Sequence, residues 1–235
     1  MEQRKDWLGM LFIFIGALLW STLTIFVHQL AISPLLFCGL RTAIAGILLL
    51  PFLWQGKIHF NLYFWGFVCS YCLLNIFLVL SLRTTTTAIA VGMQFTAPLW
   101  IFLFHLFIGK PMAKSGYLPL ISILLGVLIF MLAPSRGSTV LGNVLALLGG
   151  ILFAILTVCS HRVDTKNAVG LTAYGSLFSA VIIFVILLLS GEDWEQLLYL
   201  PAEAWWGVFL VGALQTAGGF AFFNWGLRYT TSEKA

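Results

Sequence analysis

Residues 8–28 read LGMLFIFIGALLWSTLTIFVH, and residues 141–161 read LGNVLALLGGILFAILTVCSH. Displaced by 133 positions, Leu8-Gly9 lies over Leu141-Gly142, Gly16 over Gly149, Leu19 over Leu152, Leu23-Thr24 over Leu156-Thr157 and His28 over His161. Trp20 lies over Phe153, one aromatic for another. Each copy is an apolar run of about twenty residues, the length at which a helix crosses a bilayer. A displacement of 145 brings a second pair together: Leu82-Arg83-Thr84-Thr85 and the residues to Ala90 lie over Leu227-Arg228-Tyr229-Thr230 and the residues to Ala235. The twelve extra residues fall in a longer loop before the last apolar run.

The rest of the chain has the same character. It has 235 residues, 61% of them hydrophobic and 9% charged, and a mean hydropathy of +1.03. A soluble domain is nearer half apolar and a quarter charged, so a water-soluble fold could not hide this surface. Collagen, disordered and disulfide-scaffold classes are excluded by the absence of a Gly-X-Y period, of a polar tract and of more than four cysteines. The expected fold class is all-α integral membrane, a polytopic helical bundle of eight transmembrane helices. The spans fall at 7–27, 34–54, 62–82, 86–108, 117–134, 140–161, 170–190 and 204–227. The first run is too long for a signal-peptide core and no cleavage site follows it, so it is expected to be retained.

Nine Lys and Arg residues lie on the side that holds the N-terminus, and two, Arg83 and Arg136, lie on the other. The positive-inside rule then places the N-terminus in the cytoplasm and the chain in the cytoplasmic (inner) membrane. The net charge of +4 reflects these loop cations, and no basic stripe suggests nucleic acid. Glu192, Asp193 and Glu195 fall in the outer loop before the last span, which reads as a short interfacial helix anchored by Trp194 and Tyr199. Each repeat unit would hold five helices. Units with an odd number of spans run through the membrane in opposite directions, the arrangement of secondary transporters that rock about a midplane site.

With Trp20-Ser21 in the first span, Arg41 in the second, Leu82-Arg83-Thr84-Thr85 leading into the fourth, Pro98 in Gln94-Phe-Thr-Ala-Pro98 and the Gly142 start of the second half, the chain resembles the EamA branch of the drug/metabolite transporter superfamily. The resemblance covers nearly the whole chain. It implies a ten-helix exporter of amino acids, metabolites or drugs, built as a 5+5 inverted repeat. The first repeat would occupy 1–134 and the second 138–235. Two departures stand out. The family often carries Gly-Glu after the fourth helix, where this chain has Gly109-Lys110. The second copy stops at Ala235, so the repeat is expected to be incomplete and partners for the fourth and fifth helices are lacking.

All eight acids lie in tails or at loop edges, which removes the intramembrane carboxylate that many proton-coupled exporters use. Gly16, Trp20, Thr24 and His28 recur every four residues and form one stripe on the first span, and Gly149, Phe153, Thr157 and His161 repeat it on the sixth. The stripe reads either as helix packing or as the wall of a substrate pathway. Trp20 and Trp100 fall near mid-span, whereas Trp7, Trp54, Trp205, Trp206 and Trp225 sit at span ends, where tryptophan anchors to headgroups. Arg41, the one cation inside a span, reads as an outer-side anchor or as a structural or anion-contacting group. Pro98 removes a hydrogen bond from the carbonyl of Gln94, which kinks the fourth span and exposes an acceptor beside an amide. Asn75, Gln215 and Asn224 are uncharged polar groups that either bond helix to helix or face the pathway.

The chain carries no His-Glu-x-x-His, Gly-x-Ser-x-Gly or phosphate-binding loop, so it is not read as an enzyme. Cys38, Cys69, Cys72 and Cys159 lie in apolar runs; Cys69-x-x-Cys72 lacks a second metal-binding pair, and no metal or cofactor is expected. The expected function is secondary transport of a small molecule by alternating access. The other class is a non-transporting membrane protein (an assembly partner, a sensor or an inactive transporter fragment). The expected partners are a small-molecule substrate and the lipid bilayer, with the oligomeric state open.

Overall fold

The computed structural model describes residues 2–21, 32–107, 117–132, 137–163, 167–191 and 194–229. Those residues are almost entirely helical. In chain order the helices are α1 (Glu2–Ser21), α2 (Pro34–Phe52, its last turn 3₁₀), α3 (Leu62–Thr84), α4 (Thr87–Phe107), α5 (Tyr117–Leu132), α6 (Val140–Arg162), α7 (Ala168–Ser190) and α8 (Ala202–Gly226). Six of them, α2, α3, α4, α6, α7 and α8, are long and apolar enough to cross a membrane. α1 and α5 are apolar over shorter stretches, Asp6–Ser21 and Leu120–Ile129. The first span is expected to run to residue 27, but residues 22–31 lie outside the described residues. The outer-loop helix is a 3₁₀ segment, Trp194–Tyr199.

The helix starts are written in the sequence. Ser33, Asn61, Thr86, Thr139 and Asn167 each accept a bond from a backbone N–H three residues on, a cap worth about 1 kcal/mol. Pro34 follows Ser33 in the first helical turn, where its missing N–H costs nothing.

The distribution of polarity is that of a protein solvated by lipid. Phe14, Ile47, Phe104, Leu125, Val181 and Leu188 are exposed, while Arg41, Asn75, Ser160, Thr172, Ser176, Gln215 and Asn224 are buried. In hydrocarbon a polar group must find its partner inside the protein. Buried hydroxyls therefore bond back to their own helix, Thr42 to the carbonyl of Cys38 and Ser70 to that of Gly66. The chain is a multi-pass membrane protein.

The closest helix pairings are α3 with α6, α2 with α7, α1 with α8, and α4 with α6. One core, around Phe37, Val79, Leu82 and Val208, joins α2, α3 and α8. A second, around Phe67, Tyr71, Leu156, Leu171 and Phe223, joins α3, α6, α7 and α8.

Two helices depart from continuous α winding. α4 stops at Gln94 and resumes at Ala97, because Pro98 cannot donate to the carbonyl of Gln94. Thr96 closes the gap: its hydroxyl donates to the Met93 carbonyl at 2.6 Å and accepts from the Trp100 indole at 3.0 Å. α8 is expected as one regular helix, yet Val211–Gly219 is wound as a π-helix. Three glycines in VGALQTAGG weaken the α preference of this stretch. Neighbouring helices also come close here, since a Cβ on Gly212 would stand 3.0 Å from the Arg41 carbonyl oxygen, and one on Gly219 2.5 Å from the Trp20 ring.

Candidate functional site

Between α1, α3, α4, α6 and α8 lies a cavity with two adjoining lobes. The larger holds about 490 Å³ and the smaller about 210 Å³. Ala17, Trp20, Gln94, Phe95 and Phe153 border both lobes. Asn75, Gln215 and Phe220 border only the larger, and Pro98, Thr157 and Phe223 only the smaller.

The aromatic wall follows from the stripe on α1. Trp20 meets Phe153 edge-on, ring centroids 5.5 Å apart, and touches Phe220 at 5.0 Å and Phe223 at 5.2 Å. Edge-to-face and tilted pairs at these spacings are favourable beyond their area. Such packing restricts ring motion, so the wall keeps its shape. Phe220 and Phe223 are absent from the sequence-based candidates; in an apolar run with aromatics on every side, nothing in the pattern marks which rings face inward. The tryptophans sort as their positions suggest. Trp7 (59% exposed) and Trp206 (65%) face outward at span ends, while Trp20 and Trp100 are half-buried.

Arg41 is completely buried and does not reach for the surface. Its guanidinium donates to Gln215 Oε1 at 3.0 Å, to Asn75 Oδ1 at 2.7 Å and to the Asn75 carbonyl at 3.3 Å. It also lies over the Phe37 ring, 5.8 Å from the centroid, and its Nε has no acceptor. A central arginine costs about 2.5–3.5 kcal/mol to insert. Hydrogen bonds to a charged group are worth about 1.5–3 kcal/mol each, so three neutral acceptors offset that cost. Among the described residues no carboxylate contacts it. The Asn75 amide is held at both ends, because its Nδ2 also donates to the Tyr71 carbonyl at 2.7 Å.

The structure therefore brings Trp20, Asn75, Gln94, Pro98, Phe153, Thr157 and Gln215 to one cavity, with Arg41 behind two of them. Gln94 lies near Gly149, 3.9 Å from where a Cβ there would stand. Thr157 donates to the carbonyl of Phe153 at 2.8 Å, so only its acceptor lone pairs are open to a solute. Two candidates lie elsewhere. Asn224 is buried between helices, donating to Thr172 Oγ1 at 2.9 Å and accepting from Ser160 at 2.5 Å, so it ties α6, α7 and α8 together and borders neither lobe. His161, exposed at the end of α6, has its Nδ1 3.2 Å from the Leu227 carbonyl. The four-residue spacing of the stripe carries it past the cavity. Thr24 and His28 lie outside the described residues. No group of three or more metal-ligating side chains occurs among the described residues.

The fold is similar to that of a protein known from a crystal structure, with a TM-score of 0.69 at 19% identity, over 93% of this chain and 78% of that one. Comparison with curated proteins finds no match. The family model for EamA-like transporters matches residues 7–132 and again 140–235. The two matches span nearly the whole sequence, and the chain belongs to the EamA-like transporter family.

Proposed function

We propose that this protein is a secondary transporter that exports a small, largely apolar metabolite, amino acid or drug across the cytoplasmic membrane by alternating access. The N-terminus lies in the cytoplasm, and eight spans form an inverted repeat with units 1–134 and 138–235. Helix pairing supports the repeat. Exchanging α1 with α6 and α3 with α8 turns the α1–α8 pair into the α6–α3 pair, and the α2–α7 pair maps onto itself. The ends of the helices support it too. Ser33 and Asn167, 134 positions apart, cap α2 and α7. Arg83, in the last turn of α3, donates to the Ile32 carbonyl before α2; Arg228, after α8, donates to the Val163 carbonyl between α6 and α7.

The observation that carries the reading is the contact between Trp20 and Phe153, equivalent residues of the two units, on the wall of the central cavity. A site shared by both halves is where rocking alternates access. Its walls are mostly apolar with a few placed polar groups, as small-molecule sites are. The test is solute efflux from liposomes holding the purified chain. Trp20→Ala and Thr157→Val should each lower the rate without lowering insertion. Unchanged rates in both would remove the cavity from the pathway.

A further inference from the structure

We infer that the cavity selects an organic anion, a carboxylate on an apolar body, and that the Gln215 side-chain amide receives it. The inference rests on the reading of the cavity as the solute site. A glutamine amide can present either its oxygen or its N–H groups, and here the surroundings decide. Arg41 donates to Gln215 Oε1 at 3.0 Å, and the Thr216 hydroxyl donates to the same oxygen at 2.8 Å. Arginine has no acceptor to offer, so the oxygen end must face it. The nitrogen end is turned away, and among the described residues nothing accepts from it. Gln215 is 2% exposed and borders the larger lobe, so its N–H groups are donors built into a cavity wall and left open.

Charge points the same way. Arg41 is a permanent cation held by neutral acceptors alone. The larger lobe in front of Gln215 is walled mostly by apolar side chains, Leu74, Leu78, Val91 and Phe220 among them, a setting of low polarity in which a nearby charge is poorly screened. Among the described residues no acidic side chain borders either lobe, so an ammonium group would meet a like charge and no counter-ion there. A carboxylate would gain both the amide donors and the field. The apolar remainder of the solute would lie against Trp20, Phe153 and Phe220.

Three probes with one body and three charges test this: 3-phenylpropionate, 3-phenylpropionamide and 3-phenylpropylamine, titrated calorimetrically into the full chain in lipid nanodiscs. The carboxylate should bind roughly tenfold to a hundredfold more tightly than the amide, and the amine most weakly. Gln215→Glu removes the open N–H donors from both probes and, by placing a carboxylate against Arg41, cancels its field as well; it should cost the carboxylate probe at least about tenfold more than it costs the amide. Equal binding of the three by the unmodified chain, or preference for the amine, overturns the inference and leaves the cavity reading standing. So does failure of all three to bind while the chain still moves another solute in liposomes. If a probe binds and Trp20→Ala does not weaken it, the site lies elsewhere and both readings fall.

Discussion

Neighbouring glycines on α6 should respond oppositely to the same change. A Cβ added at Gly150 would collide with the Met93 carbonyl oxygen and Thr96 Oγ1, both at the break in α4. Backbone cannot swing aside as the end of a long side chain can, so the first half of α4 must move off α6. Overpacking of this kind costs about 1–3 kcal/mol. At about 2–4 °C per kcal/mol for a chain of this size, Gly150→Ala should lower the melting temperature by roughly 2–12 °C. At Gly149 the nearest atoms stand 3.9 Å away, in the side chains of Gln94 and Leu74, an ordinary contact. There alanine should be neutral or gain up to about 1 kcal/mol from helix propensity. The assay is thermal unfolding of the purified chain in one detergent, followed by fluorescence or by loss of monodispersity. Equal losses in the two variants, or a stable Gly150→Ala, would refute the claim that α4 is seated through Gly150.

Asn224→Ala removes bonds to Ser160 and Thr172; it should cost about 1–2 kcal/mol, read as a lower melting temperature, and leave the ranking of transported solutes unchanged. Thr96→Val removes the hydroxyl's bonds to the Met93 carbonyl and the Trp100 indole, leaving only backbone N–H donors on that carbonyl, and should speed hydrogen exchange at the α4 break before any other described segment. Tyr199→Cys, in the loop before α8, should react with a membrane-impermeant maleimide on intact cells, whereas Gln55→Cys, between α2 and α3, should react only after permeabilisation; the opposite pattern would invert the proposed topology.

Several features could be read from the chain because they depend on local chemistry or on long runs. Six span positions follow from apolar length, the break in α4 from Pro98, and the equivalence of Trp20 and Phe153 from a repeated spacing, which leaves open whether they pack or line a cavity. Arg41 is different. A span apolar on all sides has no face that says whether an arginine turns outward or inward. What decides it is Asn75 and Gln215, which lie on other helices 34 and 174 positions away. The π winding of α8 depends on close approach to α1 and α2, which no local pattern encodes beyond a weak run of glycines. The same holds for Gly149 and Gly150: the sequence marks the first through its match to Gly16, and contact with α4 marks the second. Asn224 reads like Gln215 along the chain, and only the neighbours of each separate a helix-to-helix bond from a cavity wall.

The cavity wall has an electrical consequence. Among the described residues, none that border either lobe carries an acidic or basic side chain, and the one charge behind the wall is a guanidinium, which keeps its proton. In the proposed alternating-access cycle the charge of these wall groups is then the same on every return, whatever the pH on either side, and a turnover that draws on them alone transfers only the charge of its cargo. For a monoanion that is one negative charge, worth about 2.3 kcal/mol per 100 mV. An inside-negative membrane would drive it outward without any proton gradient. Efflux of such a solute from liposomes should therefore rise when a potassium diffusion potential is set negative inside, and should not respond to a pH step of the same driving force.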